Sequence, residues 1–393
     1  MWKNYPSRMK ETLKNVELEY YTKEEISPVE YNIPELNKHF EIRGNLYKLL
    51  GLVPSYLSGK DVLEVGAGSG HNSLYTSSLK PKNYDLIEPN KTGCENIKKV
   101  FANLDVEHTK PNLFELEIDN FNSDKFYDLV IAEGWPGGFL EHDRNMLVKI
   151  GSFVKHGGML FIHYFPPIGG MATYLRRLIS HRLINNIKKI SDKLIILNEA
   201  FSTHLSNLSS MTRSHDHWIL DSLLNPYVCV AYNTPLICKE IFDKKFKIYN
   251  SVPKFSTDWR WYKSLHGKQE KVNKNFYEDY ILINHSMIDY RISNSKRSKN
   301  QNLELEKFCS TFALLTKENE QLNLESFLKN VKPTLDNIIK NVSDLSSQLI
   351  NSLEEANSIL QKEKITVENV RNMSDFSSLF GREQCYLSFV NEN

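Results

Sequence analysis

No two cysteines of this chain form a CxxC pair. The five present, Cys94, Cys229, Cys238, Cys309 and Cys385, are scattered and odd in number. That pattern argues against a disulfide framework or structural zinc and for a reducing compartment. An excess of charge is missing as well: 49 basic residues meet 48 acidic ones, a formal net charge of +1. The balance gives no whole-chain attraction to nucleic acid or to an anionic membrane surface. No apolar run approaches the roughly 18 residues of a membrane-spanning helix. The start, Met1 to Pro6, lacks the apolar core of a signal peptide, so the expectation is a soluble, cytoplasmic protein. No internal repeat stands out.

What remains is 393 residues with 40% hydrophobic content, enough for one α/β domain and roughly 150 residues of additions. Residues 1–58 read as a helical cap whose last helix carries Phe40, Ile42, Leu46, Leu49 and Leu50 and stops at Gly51-Leu52-Val53-Pro54. From Asp61 the pattern changes. Val62–Val65, Tyr84–Ile87, Phe126–Ile131 and Met159–Ile162 each read as a buried strand, with room for a crossover helix between them. Such alternation predicts a mostly parallel sheet covered on both faces, over residues 59–165.

Residues 166–225 break the rhythm and read as an inserted substrate-recognition segment. Its basic stretch, Arg176, Arg177, Arg182, Lys188 and Lys189, is expected to be a solvated helix face. A helix over Pro235–Phe242 and a strand over Phe246–Val252 should complete the sheet within residues 226–255. Residues 256–393 read as a helical extension. There Leu335, Ile338, Val342, Leu345, Leu349, Leu353, Ala356 and Leu360 predict one long amphipathic helix, packed on its own chain or pairing with a second copy as a homo-oligomer.

The strongest motif is Asp61-Val62-Leu63-Glu64-Val65-Gly66-Ala67-Gly68-Ser69-Gly70, a strand, an acid and a glycine-rich turn leading into a helix. Glycine lets the backbone turn sharply and touch a ligand without a Cβ between them. A nicotinamide-type loop wants Gly-x-Gly-x-x-Gly, and here His71 holds the third glycine's place. Glu64 suits a ligand with an ammonium group better than a pyrophosphate. Glu88 ends the next strand, before Pro89, where a carboxylate can accept hydrogen bonds from two ribose hydroxyls.

Glu64 to Gly70 resembles the first motif of class I S-adenosylmethionine-dependent methyltransferases, and Glu88 resembles their ribose-binding acid. Phe126 to Gly134 and Lys155 to Ile162 are similar to their fourth strand and the turn and strand that follow. The resemblance covers about residues 38–165, with a weaker return near 234–252. It implies an α/β fold with a Rossmann-like methyltransferase sheet of about seven mostly parallel strands, and S-adenosyl-L-methionine as cofactor. It also implies adenine against the residues after the third strand, placed here at Asn112, Leu113 and Phe114. The upstream helix resembles these enzymes' covering helix. Its Arg43 and Tyr47 share a face and either reach the cofactor carboxylate or pack on the domain.

Methyl transfer needs an aligned acceptor, excluded water and, for a hydroxyl acceptor, a base. Candidates beyond the fourth and fifth strands are Glu133, Trp135, His163 and Tyr164, with His163 able to act near neutral pH. The densest cluster is Thr212 to Asp221. His215 and His217, with Asp216 between them, make a proton-relay or metal pair only on a strand, since residues two apart do not share a helix face. Asp216 also fits a helix N-cap, and Arg213 could hold a carboxylate or phosphate. With Asp258-Trp259-Arg260-Trp261-Tyr262-Lys263, this segment looks like one in bacterial methyltransferases encoded with surface-polysaccharide genes. Trp259 and Arg260 would suit a sugar or base.

These readings predict O-methylation of a sugar, glycan or other small molecule. The alternatives are N-methylation of an amino sugar, amino acid or protein amine, and a non-catalytic scaffold. Nucleic acid is disfavoured, since base-modifying relatives often carry Asn/Asp-Pro-Pro-aromatic where Glu133-Gly134-Trp135-Pro136 stands, and no metal site is expected.

Overall fold

The computed structural model describes residues 16–27, 36–135, 137–138, 140–208, 211, 213–229, 233–242, 244–265, 270–293, 295–319 and 323–392. Of the expected N-terminal cap, 1–15 and 28–35 fall outside that set, as do Pro136 of the tryptophan turn and Thr212 of the histidine cluster.

The chain divides into two compact units, residues 1–164 with 231–280 and 384–393, and residues 165–230 with 281–383. The first holds the sheet: β1 Asp61–Val65, β2 Asn83–Ile87, β3 Asn112–Phe114, β4 Tyr127–Ala132, β5 Val154–Tyr164, β6 Phe246–Val252 and β7 Cys385–Asn391. Their order is β3-β2-β1-β4-β5-β7-β6. The first five strands run parallel, and β7 is antiparallel to both β5 and β6. Every residue of β4, and all but the first of β1 and β2, is buried, as expected where helices cover both faces. Among the described residues the helices of this unit are α1 Val16–Lys23, α2 Leu36–Leu49, α3 His71–Ser78, α4 Lys91–Ala102, α5 Glu141–Ser152, α9 Pro235–Phe242 and, as far as Tyr280, α10 Glu270–Ile283. Tyr47, Leu50, Leu57, Val62, Leu86, Leu129, Ile131 and Phe161 form one apolar cluster, at about 1.5–3 kcal/mol per fully buried large side chain.

The strand order reverses between β1 and β4, the place where open α/β sheets form a crevice beyond their carboxyl ends. Register sets what lies there. Ile87 pairs with Val65 and Val65 with Ala132, so Glu88, Gly66 and Glu133 follow three neighbouring strand ends. His163 pairs with Tyr386 across β5 and β7.

The expectation of an all-helical segment over 256–393 is corrected by β7. Its alternation of Cys385, Leu387 and Phe389 with Tyr386 and Val390 is short and lies far along the chain from its partner β6. The strand becomes recognisable only when it pairs.

The second unit is helical: α6 Met171–Leu183, α7 Ile190–Ser206, α8 His215–Trp218, α11 Lys299–Glu318, α12 Lys332–Asn341, α13 Ser347–Leu360 and α14 Val367–Arg371, with wider turns at Ile219–Leu224 and Phe327–Val331. The single long helix expected over Leu335 to Leu360 is two, α12 and α13. Arg297 donates to the carbonyl of Asn341 (3.1 Å), to Asn341 Oδ1 (2.9 Å) and to Asp344 (3.1 Å), holding the intervening turn. The apolar spacing survives the break because Leu335, Ile338, Val342, Leu349, Leu353, Ala356 and Leu360 are all buried.

The solvated basic face is also corrected. Lys188 and Lys189 are exposed, but Arg176 and Arg177 are completely buried. Arg176 donates to the carbonyl of Leu379 (2.8 Å) and to those of Phe376 and Ser377 (3.3 Å each), with its guanidinium 4.0 Å from the ring centroid of Phe380. Arg177 donates to the Leu223 carbonyl at 2.9 Å. Arg182 donates to the carbonyls of Leu360 and Glu363 at the end of α13. Buried carbonyls at turns and helix ends need donors, and arginine's fork supplies several at once.

Candidate functional site

The glycine-rich turn leaves β1 with Gly66, Gly68 and Gly70 at φ of +76°, +58° and +80°, backbone that L side chains rarely adopt. The amides of Gly66 (2.8 Å) and Ala67 (3.3 Å) donate to the carbonyl of Ile87 at the end of β2. Gly70 caps α3. The turn therefore presents main chain, half-exposed at Gly66 and Gly68, with the Trp135 indole against Gly66.

Glu88 faces that turn. Its Oε2 accepts from the Gly68 amide at 2.7 Å and its Oε1 from the Asn90 amide at 2.8 Å. Burial pushes its pKa up to about 7, against the pull of these two amides. Gly93, in the first turn of α4, allows this closeness: a Cβ there would lie 2.8 Å from the Gly68 carbonyl oxygen and 3.1 Å from Glu88 Cγ. Asn90 also donates to the Ile26 carbonyl just after α1 (3.0 Å). A glycine turn with a carboxylate beside it fits an adenosine-bearing cofactor.

The expected cofactor contacts at Glu64 and at Asn112, Leu113 and Phe114 are redirected. Glu64 is buried, and its carboxylate accepts from Ser73 Oγ at 2.8 Å and from the Tyr84 hydroxyl, so it ties β1 to α3 and β2 instead of facing an ammonium. Asn112, Leu113 and Phe114 are β3 itself and do not follow it, and the Asn112 amide is held by Asp85 Oδ1 at 2.7 Å. The residues after the third strand begin at Glu115.

Between α2 and the ends of β4, β5 and β7 lies a small pocket, lined by Arg43, Leu46, Tyr47, Leu50, Ile131, Ala132, Glu133, Phe161, His163 and Tyr386. Its polar wall is an ion pair. Arg43 Nη1 and Nη2 donate to Glu133 Oε1 and Oε2, each at 2.7 Å. The Tyr386 hydroxyl (2.7 Å) and Asn72 Nδ2 (3.2 Å) also donate to Glu133 Oε1. Burial alone would raise the Glu133 pKa, but the Arg43 charge and these hydrogen bonds hold it below the usual carboxylate value. Glu133 is thus a fully engaged anion and a poor general base, which corrects its expected catalytic role. The same pair occupies Arg43, and Tyr47 does not reach a ligand carboxylate: its hydroxyl bonds Thr76 Oγ1 at 2.6 Å and its ring packs on Tyr75 and Phe161.

His163 is 2% exposed, its ring edge-on to Tyr386 at 4.9 Å. Burial lowers its pKa to about 4, with the Glu133 charge opposing. It is neutral at pH 7 and does not titrate in the expected range. Tyr164, next along β5, projects from the opposite face and is fully buried, with Cys385, Tyr280 and Cys238 as neighbours. It is a core residue, not an open substrate contact. Trp135 stands elsewhere than expected: its indole Nε1 donates to the Val65 carbonyl at 2.8 Å, and a Cβ built on Gly66 would fall within its ring. The tryptophan lies on the glycine-rich turn.

The remaining expected contacts belong to other surroundings. Arg213, His215, Asp216 and His217 are in the second unit. His215 and His217 sit on helix α8, so they form no face-sharing pair. Ser214, not Asp216, caps that helix, accepting from the His217 amide at 3.2 Å. Asp216 accepts from Asn198, and Arg213 pairs with Asp221 at 2.7 Å. Trp259 is 91% exposed in the first unit, beside an Arg260–Asp258 fork at 2.5–3.0 Å. Asn72, Gly93 and Tyr386 were not singled out from the sequence. Asn72 could have been found as the second residue of the helix that the turn opens; Tyr386 needed β7.

No protein-family model matches the chain, and no curated protein matches it. Among solved structures it is similar to magnesium protoporphyrin IX methyltransferase from Synechocystis with bound S-adenosylhomocysteine, at 11% identity over 65% of this chain and 94% of that one, TM-score 0.33. It is also similar to the N-methyltransferase NodS from Bradyrhizobium japonicum with S-adenosylhomocysteine, at 16% identity over 40% and 74%, TM-score 0.29. A third is protein arginine methyltransferase 10 of Arabidopsis thaliana, at 18% identity over 36% and 40%, TM-score 0.26. The chain spans 44% of the length of a similar Thermoplasma acidophilum structure. What each of these proteins binds or methylates is its own property. Seven strands in the order β3-β2-β1-β4-β5-β7-β6, with β7 antiparallel, make an open, mostly parallel, Rossmann-like sheet.

Proposed function

We propose that the chain is an S-adenosylmethionine-dependent methyltransferase. The observation that carries the reading is the pairing of a positive-φ glycine turn with Glu88, whose carboxylate lies 2.7 Å from the Gly68 amide. When bound, the cofactor supplies an electrophilic methyl group on its sulfonium. Gly66 and Gly68 would lay main chain against its adenosine, and Glu88 would accept from the ribose hydroxyls on the lone pairs its two amides leave free. The ion pair of Arg43 with Glu133, at the neighbouring strand end, would face its charged amino-acid tail.

For the acceptor, the state of the candidate bases supports an amine over a hydroxyl. Glu133 is held ionised by Arg43, Tyr386 and Asn72, and His163 has a pKa of about 4. Neither suits removal of a hydroxyl proton near neutral pH, whereas an amine that arrives in its neutral form attacks the methyl carbon through its own lone pair as the C–S bond breaks, and the N–H proton then passes to solvent. An amino sugar, amino acid or protein amine is therefore the first class, and sugar or small-molecule O-methylation the second.

The test is release of adenosylhomocysteine from adenosylmethionine across a panel of amines, nucleotide sugars and glycans. Turnover confined to hydroxyl acceptors would overturn the amine reading. Absence of adenosylmethionine binding by calorimetry would overturn the enzyme reading and leave the scaffold.

A further inference from the structure

The loop that follows β6 has a fixed base and an exposed aromatic tip. At the base, the Phe255 ring packs edge-on against Phe276 and Tyr280 of α10, with centroids 5.8 and 5.2 Å away. Beside it, Ser256 Oγ donates to Asp279 Oδ2 at 2.7 Å. From Thr257 to Leu265 every residue is exposed. Trp259, Trp261, Tyr262 and Leu265 thus place four large apolar side chains at the surface within seven positions. Trp259 and Trp261 are also the exposed tryptophans among the described residues. Single exposed apolar residues are ordinary, whereas a concentrated group marks a contact surface.

The same stretch is cationic. Lys254, Arg260 and Lys263 stand against Asp258 alone, and Asp258 is held in the Arg260 fork. Lys263 Nζ lies 5.1 Å from the Trp261 ring centroid and 5.8 Å from that of Tyr262, so amphipathic rings and a positive charge share one surface.

We propose that the 254–265 loop docks this chain on the surface of a bilayer that contains anionic phospholipid. Tryptophan and tyrosine favour the headgroup level, where the ring leaves water and its N–H or O–H stays wet. Neighbouring lysines meet the negative potential of that surface. The balanced charge of the whole chain does not oppose this, because salt confines the attraction to within about 8 Å of the surface. Exposed tryptophans also suit a sugar, but the ring geometry here disfavours one. Trp261 and Tyr262 cross at 73° with centroids 5.9 Å apart, so they offer no common flat face for a pyranose to stack on. A fluid interface makes no such demand.

The experiment is co-sedimentation of the full chain with phosphatidylcholine vesicles made with and without phosphatidylglycerol. Wild-type protein should bind the anionic vesicles, and added salt should weaken the binding. Trp259→Ala with Trp261→Ala should weaken it by about tenfold or more, and Lys254→Gln or Lys263→Gln by about fivefold each. All these side chains are exposed, so the urea midpoint of each variant should match wild type and show that the fold is kept. No binding of wild type to anionic vesicles would overturn the proposal. So would binding that the lysine variants weaken and the double tryptophan variant does not, which is adsorption by charge alone. Two further results would reassign the loop. Maltohexaose binding lost in the double tryptophan variant, without vesicle binding, would make it a sugar platform. Self-association lost in that variant, again without vesicle binding, would make it a contact between copies of this chain.

Discussion

The two terminal nitrogens of Arg43 each lie 2.7 Å from an oxygen of Glu133, ninety positions later in the chain. The side chains are 7% and 13% exposed, so the covering helix α2 is tied to the end of β4 by a nearly dry, bidentate ion pair. This pair sets the charge of the cavity and removes Glu133 from proton transfer.

Breaking it from one side should be severe. Arg43→Met leaves a buried carboxylate without its counter-charge, and such changes cost about 3–5 kcal/mol. Adding Glu133→Gln to the same chain should restore much of the loss, because no charge is then stranded. Urea denaturation of both variants is the check, and equal stability of the single and double variants would refute the account.

Glu88 predicts how cofactor affinity varies with pH. Its folded-state pKa of about 7 lies above the ordinary 4.5, so the stability it contributes is complete below 4.5 and lost as pH rises through 7. Ligand binding runs the other way, since ribose hydroxyls donate to the ionised carboxylate. Affinity for adenosylhomocysteine should climb by up to about tenfold per pH unit below 7 and level off above it. Glu88→Gln should flatten that profile; a wild-type profile flat from pH 6 to 8 would speak against the role.

Removing the acid altogether separates binding from folding. Glu88→Ala should weaken adenosylhomocysteine binding by about 1–3 kcal/mol, the usual penalty for stranded hydroxyl donors. Gly68→Arg should abolish it, since the residue sits at φ +58° with its amide on Glu88. Circular dichroism of each variant shows whether the fold is kept, and wild-type affinity in a folded Gly68→Arg protein would sink the turn assignment.

His163 gives a stability prediction. Burial lowers its pKa from 6.5 to about 4, so its contribution is present above 6.5 and lost as pH falls toward 4. The stability difference between wild type and His163→Gln should shrink by roughly 2–3 kcal/mol between pH 7 and pH 4. A constant difference across that range would mean the imidazole is solvated.

Much of the first unit was legible in the sequence. β1, β2, β4 and part of β5 announced themselves as short continuous apolar runs, because strands covered on both faces need apolar residues on both. The turn at 66–70 was legible because glycine at three alternate positions has few physical reasons. β7 was not, since a seven-residue alternation carries little signal until a partner strand pairs with it. Nor were the roles of Arg176 and Arg177, because composition cannot distinguish an arginine facing water from one facing carbonyls. The candidate bases misled for the same reason: a side chain's pKa depends on burial and on neighbours brought from 30 to more than 200 positions away.

By itself the sequence determined where the sheet begins, the turn that a ligand can touch, and the acid that stands beside it, since these depend on residues close along the chain. Tertiary structure alone decided that Arg43 neutralises Glu133, that His163 is kept neutral, that Tyr386 joins them and that Trp135 lies on Gly66. Those relations depend on burial and on charges meeting across the fold, and neither is a property of local sequence.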